Sequence, residues 1–303
     1  MIYKVTHLTR YTYASAVELT TGVLRLAPRS GDGQEIESVS ILTEPSSQPP
    51  LSERIDPFGN RVTRFRIEEP HRQLSIIASS RVRVSRAPAP TESLPWEAVV
   101  SEAGAIASLN ADSPVIALFP SRSISLFDSA TAYARESFTP QRPIYDAATE
   151  LTRRIYFDFR YDPEATEVDT PASEAFERRR GVCQDFAHIM IAALRGLALP
   201  ALYVSGYIRT IPPPGKERLT GADASHAWVS LWCGGAYGWK DFDPTNASLV
   251  QNEHIVVARG RDYSDVSPVE SLVLSAGRHR LEVEVDVIPL LESDPVKDAS
   301  RTD

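Results

Sequence analysis

The stretch that most restricts what this chain can fold into is CQDFAHIMIAALRGLALPALYVSGYI, residues 183–208. Phe186, Met190, Ala193, Leu194 and Leu197 recur at the three- and four-residue spacing of one helix face, and the helix they form reads as buried. After Pro200 the character changes, and ALYVSGYI reads as a strand. A buried helix that runs directly into a strand needs further helices and a sheet to cover it. This part of the chain is therefore α+β, helices first and then an antiparallel sheet.

The flanking sequence fills in that plan. IYKVTHLTRYTY, ESVSILTE, NRVTRFRIEE and LSIIASSRVRV alternate or carry β-branched residues, and turn clusters such as DPFGN (56–60) separate them. Residues 1–84 thus predict an antiparallel β-sandwich of roughly seven short strands. RAPAPTESLPW (86–96) is Pro-rich and aperiodic, which marks a domain boundary. SLFDSATAYARESF and PIYDAATELTRRIYFDF are helical by spacing. DTPASEAFERRRG predicts another helix, with Thr170 as N-cap, Pro171 at the first position and Gly181 after the end. HAWVSLWC, GWKDFDPT and the alternating HRLEVEVDVIPL are strands, and no internal repeat is present. The expected organisation is a β-sandwich over 1–88, a linker and helices over 89–142, a core over 143–260, and a C-terminal loop and strand completing the fold over 261–303. A length of 303 residues suits about two domains.

The formal net charge of −8 argues against nucleic acid or an anionic membrane surface as partner. No window is apolar over a membrane-spanning length, and MIYKVTHLTRYTYASAVEL lacks the apolar core of a signal peptide. A cytoplasmic protein is expected. Cys183 and Cys233, the only two cysteines, do not make a disulfide framework and would be thiols in a reducing compartment.

Cys183 follows Gly181 and Val182 and opens the buried helix. Unpaired N–H groups and the positive end of the helix dipole favour thiolate there, and they can also receive an oxyanion. Free cysteines are nevertheless usually inert and buried, as is expected of Cys233, so a base must be found. His188 lies five positions on, roughly 140° around the helix, and reads as a buried structural residue. His7 and His71 fall in the sandwich and His279 at the last strand. His226 differs, because it stands at a strand mouth after the polar loop GADAS. If its strand pairs with the one ending DFDPTN, Asp243 comes near it, and Asp241 lies on the same face. Cys183, Asp185, His188 and His226 show none of the CxxC, HxxxH or HExxH spacings of a metal site, so no metal is expected.

Cysteine at a helix start, histidine at a strand start and aspartate on the next strand resemble, in that chain order, the transglutaminase-like superfamily. GVCQDFAHIMIAALRGLALPALYVSGYI, DASHAWVSLW and GWKDFDPTN are similar to its cysteine, histidine and aspartate segments. YKVTHLTRYTY, LRLAPR, DPFGN, EEPHRQLSIIASSRV and HIVVARGRDYSDVSP resemble a bacterial, cysteine-protease-like subgroup with an N-terminal β domain. The resemblance implies a papain-like transglutaminase core behind an all-β sandwich. It implies Cys183 as nucleophile, His226 as general base and acid, and Asp243 rather than Asp241 as orienter. It implies no cofactor and a peptide or protein substrate. Animal members use a tryptophan upstream of the cysteine, but here only Trp96, in the linker, precedes Cys183. The oxyanion role then falls to Tyr161 or a backbone N–H, with Gln184 and Trp228 as further candidates for oxyanion or substrate contacts. The implied chemistry is amide acyl transfer through a thioester, with hydrolysis favoured. Glutamine–lysine cross-linking and a non-catalytic peptide-binding module are the alternatives.

Overall fold

A computed structural model describes residues 1–108, 110, 113–210, 224–274 and 277–291. The N-terminal strands are β1 (Ile2–Val17), β2 (Leu19–Leu24), β3 (Gln34–Glu44), β4 (Ser52–Ile55), β5 (Arg61–Ile67) and β6 (His71–Val84). Then come α1 (Trp96–Ala105), a 3-10 turn (Pro114–Ala117), α2 (Asp128–Arg135), α3 (Ile144–Asp158), β7 (Arg160–Tyr161), α4 (Ala172–Arg178), β8 (Arg180–Gly181) and α5 (Cys183–Gly196). The chain continues through β9 (Ala201–Ile208), β10 (Ala224–Trp232), β11 (Trp239–Asp243), β12 (Ser248–Leu249), β13 (His254–Gly260), α6 (Tyr263–Val266), β14 (Val269–Leu274) and β15 (His279–Leu290). No helix among the described residues is long and apolar enough to cross a membrane.

Two four-stranded sheets, ordered β15-β1-β6-β3 and β14-β2-β5-β4, form the sandwich. Their facing side chains, including Leu24, Phe65, Ile67, Leu74 and Ile76, make a core of their own. Among the described residues the sandwich thus has eight strands rather than seven, and two of them come from the C-terminal residues 261–303, outside the bounds of 1–88 expected for it. The reason is pairing. β15 alternates apolar and polar residues and runs antiparallel along β1, from Ile2↔Leu290 to Tyr13↔His279, closing an edge that β1 would otherwise expose. Tyr3 and Val5 of β1, Val82 and Val84 of β6, and Val285 and Val287 of β15 extend beyond the sandwich core into the larger core around α5.

In that larger core α5 is covered on every side, with every residue from Asp185 to Arg195 buried, as befits a helix apolar all round. It packs against α2, α3, α4 and the five-stranded sheet β12-β11-β10-β9-β13. Arg195, buried at its far end, donates to the carbonyls of Ala117, Phe119, Ala201 and Arg261, which ties the connecting segments to the helix end.

β13 is an edge strand, and the sandwich covers its free side with two buried side-chain amides. Gln34 Oε1 accepts from Val256 N and its Nε2 donates to Val256 O, both at 2.8 Å. Asn60 accepts from Arg259 N at 2.8 Å and donates to Arg259 O at 2.7 Å. Each amide reproduces the donor–acceptor pair that a neighbouring strand would supply. Replacing Asn60 by Ala leaves both backbone groups of Arg259 unpaired and buried, so a loss of about 1–3 kcal/mol is expected. The test is the midpoint of urea unfolding, and an unchanged midpoint would refute this role.

Candidate active site

The segment that delivers Cys183 is set by a short chain of local constraints. α4 ends at Arg179, whose left-handed backbone (φ 53°) turns the chain back. The Arg179 guanidinium lies over the rings of Phe176 and Phe159, at 4.3 and 4.6 Å. The helix therefore stops before Gly181, and Thr170 is not its cap: Pro171 holds that position, while Thr170 Oγ1 accepts from Glu167 N. β7 and β8 then pair in parallel, Arg160↔Arg180 and Tyr161↔Gly181, which sets Tyr161 beside the residues leading to Cys183.

Val182 precedes the helix in extended conformation, and Asp185 fastens that corner. Its Oδ2 accepts from Val182 N at 2.8 Å and from Thr166 Oγ1 at 2.6 Å. Burial raises the Asp185 pKa, against these two bonds. Gly181 is needed for the close approach, because a Cβ there would lie 2.5 Å from Asp185 Oδ2. Cys183 emerges as the first helical residue, half-buried and free.

His226 comes from β10, which pairs antiparallel with β9 (His226↔Gly206) and with β11 (Val229↔Phe242). The absence of a side chain at Gly206 leaves room for the Trp228 ring, whose Cη2 would meet a Cβ there at 2.4 Å. Asp243 ends β11. His226 Nε2 donates to Asp243 Oδ2 at 2.8 Å, and Cys183 lies close enough to act on the same imidazole. Cys183, His226 and Asp243 are therefore brought together. Burial disfavours charge on His226, but Asp243 and the Cys183 thiol outweigh it and raise its pKa. The carboxylate moves the opposite way. Burial works against its charge, yet the bonds from His226 and from His254 hold it well below the usual carboxylate range.

Asp241 points into a different network. It accepts from Arg259 Nη2 at 3.2 Å and from Trp228 Nε1 at 3.2 Å. Trp228 is fully buried (0% exposed) and its N–H is taken by Asp241, so it cannot meet a substrate; it packs instead beneath His226. Gln184 donates to Val168 O at 2.8 Å and so fastens the loop before α4. Tyr161 is 54% exposed, stands edge-on to Phe186, and is electrostatically coupled to Cys183. Trp96 donates its N–H to Thr139 O.

The sequence reading assigned no part to His254, which donates from Nε2 to Asp243 Oδ2 at 3.1 Å. Its signal is its position at the start of HIVVARG, a strand mouth like that of His226. His226, Asp243 and His254 bring three metal-capable atoms within 4.8 Å of one another. Both imidazole Nε2 protons, however, point at the one carboxylate oxygen, so a cation would have to displace them.

Known proteins resemble this chain in sequence and in fold. Residues 3–83 match the bacterial transglutaminase-like N-terminal region, and residues 131–244 match the transglutaminase-like superfamily. An uncharacterized protein of Mycobacterium tuberculosis (strain ATCC 25618 / H37Rv) is 40% identical over 296 residues, covering 95% of this chain and 92% of that protein. An uncharacterized Mycobacterium leprae protein is 30% identical over 295 residues, covering 95% and 98%. A crystal structure of a "Putative Cysteine Protease" from Cytophaga hutchinsonii superposes with a TM-score of 0.72 at 24% identity, covering 98% of this chain and 94% of that one; it has the same fold.

Two outcomes are expected. Gly181→Ala pushes Asp185 off the corner and should lower stability by roughly 1–3 kcal/mol, read by thermal unfolding. His188 accepts from Tyr263 N at 3.2 Å and is pushed down to about 4 from an ordinary 6.5, chiefly by burial. The unfolded chain then binds the extra proton, so stability falls as pH drops from 6.5 toward about 4. Denaturation midpoints across that range should slope less steeply in His188→Gln. An equal slope would exclude His188 as a source.

Proposed function

The chain belongs to the transglutaminase-like superfamily, and from that premise we propose that it cleaves an amide bond of a peptide or protein through a Cys183–His226–Asp243 triad. The observation that carries this reading is the position of His226, hydrogen-bonded to Asp243 at 2.8 Å and electrostatically linked to Cys183. That thiol opens a helix whose first N–H groups have no helical acceptor.

In this mechanism the Cys183 thiol gives its proton to His226 and its sulfur attacks the amide carbonyl carbon. The oxyanion is received by N–H groups at the start of α5, with the exposed Tyr161 hydroxyl as a second donor. The C–N bond breaks as His226 returns the proton to the leaving nitrogen, which leaves a thioester on Cys183. Water, deprotonated by His226, then releases the carboxylic acid and regenerates the thiol. Asp243 holds the imidazole in the tautomer that keeps Nδ1 toward sulfur and stabilises its charge. Hydrolysis is favoured over cross-linking because Cys183 is only half-buried, so water can compete with an amine acceptor. We further propose action in a reducing compartment such as the cytoplasm, which suits two free cysteines.

Iodoacetamide at neutral pH should modify Cys183 and spare the buried Cys233. A mixed peptide pool should leave an acyl group on Cys183 that mass spectrometry identifies. His226→Ala should slow turnover of the identified peptide by roughly a hundredfold or more. Incorporation of an added primary amine in place of water would select cross-linking instead. A Cys183 that neither alkylates nor acylates would refute the enzyme and favour a binding module.

A further inference from the structure

His254 is the first residue of β13, is 4% exposed, and reaches the same Asp243 oxygen as His226. Its ring stands edge-on against Trp228, 5.3 Å between centroids and 80° between planes, and 6.2 Å from the His226 ring. The carboxylate can only accept, so the Nε2 that approaches Asp243 Oδ2 to 3.1 Å carries a proton. The other ring nitrogen, Nδ1, is buried without a partner. A leucine or phenylalanine would fill the same space without a desolvated acceptor. What the imidazole alone contributes is the N–H to Asp243.

That N–H competes for charge. Asp243 Oδ2 is shared by His226 Nε2 at 2.8 Å, Asn246 Nδ2 at 2.7 Å and His254 Nε2 at 3.1 Å. Each donor draws electron density from the oxygen, so removing one concentrates the remainder on the others. Resting on the triad reading above, we propose that His254 is a positioning residue that tempers the basicity of His226 through their shared carboxylate oxygen. The need for it follows from the two duties of His226. It must take a proton from the thiol and then surrender it to the leaving nitrogen, which a too-basic imidazole does slowly.

Among the described residues, the groups that face this pair are few. Cys183 reaches His226 from α5, Asp243 from β11, and Asn246 from the turn after it. Asp241, paired with Arg259, lies across Trp228. His254 also lines a cavity of about 600 Å³ together with Arg153, Arg209 and Glu253. A change at His254 must therefore be read on His226 itself.

The experiment is a titration of imidazole resonances in the [15N]histidine-labelled full chain. A Cys183→Ala background makes the midpoint belong to His226 and not to a coupled thiol. His254→Leu should raise the His226 midpoint by about half to one pH unit, the size expected for one lost hydrogen bond of ordinary strength. His254→Gln, whose amide can keep an N–H on Asp243, should bring it back toward the parent value. If His254→Leu does not fold, His254→Phe takes its place with the same expectation. An unmoved midpoint in the apolar variant, or equal shifts in the apolar and Gln variants, would overturn the inference. Asp243→Asn separates this from the reading beneath it, since it should lower the midpoint by more than about a unit. If Asp243→Asn leaves the midpoint alone, the triad reading fails; if only the His254 variants do so, that reading stands and this inference falls.

Discussion

A carboxylate with no exposed surface stays charged only when its lone pairs are occupied by donors, and Asp243 meets that demand from several directions at once. Its Oδ1 takes the backbone N–H groups of Thr245 and Asn246, and its Oδ2 takes Asn246, His226 and His254. These donors come from β10, β13 and the turn after β11, so one buried charge draws three parts of the sheet to a single point. The strong penalty for a buried, unpaired charge makes the arrangement all-or-none. It also explains why His226 is held in one tautomer and one orientation.

The Cys183 side of the site solves a different problem. α5 is buried along almost its whole length, yet its first residue is only half-buried. The left-handed turn at Arg179, the short β7–β8 ladder and the Asp185–Val182 bond bring only Cys183 and Gln184, at this end of the helix, toward the surface. The rest of α5 remains a rigid support. On the opposite flank the sandwich seals β13 through Gln34 and Asn60, so the strand that carries His254 is held by the N-terminal region as much as by its own sheet.

Much of the site was legible in residue type and order. A cysteine after a glycine at a helix start, a histidine at a strand mouth and an acid at the end of the next strand carry their own physical reasons. The choice between Asp241 and Asp243 did not follow from alternation, because both share a face; it turns on Arg259, a residue on another strand that takes Asp241. Trp228 looked available beside His226, but Gly206 opens a space that buries it completely. His254 escaped because its partner is eleven residues away across the sheet, and nothing local marks a histidine as facing a carboxylate.

Periodicity and cap chemistry by themselves determined the β-sandwich, the helices and sheet that follow it, the buried helix and the residues able to do thiol chemistry, since these depend on near neighbours in the chain. Only the tertiary structure decided which acid meets His226, that His254 shares it, and that the last two strands return to the sandwich. Those outcomes are set by strand order and by which edges are left open. Such pairings join residues as far apart as Ile2 and Leu290, and no local spacing encodes them.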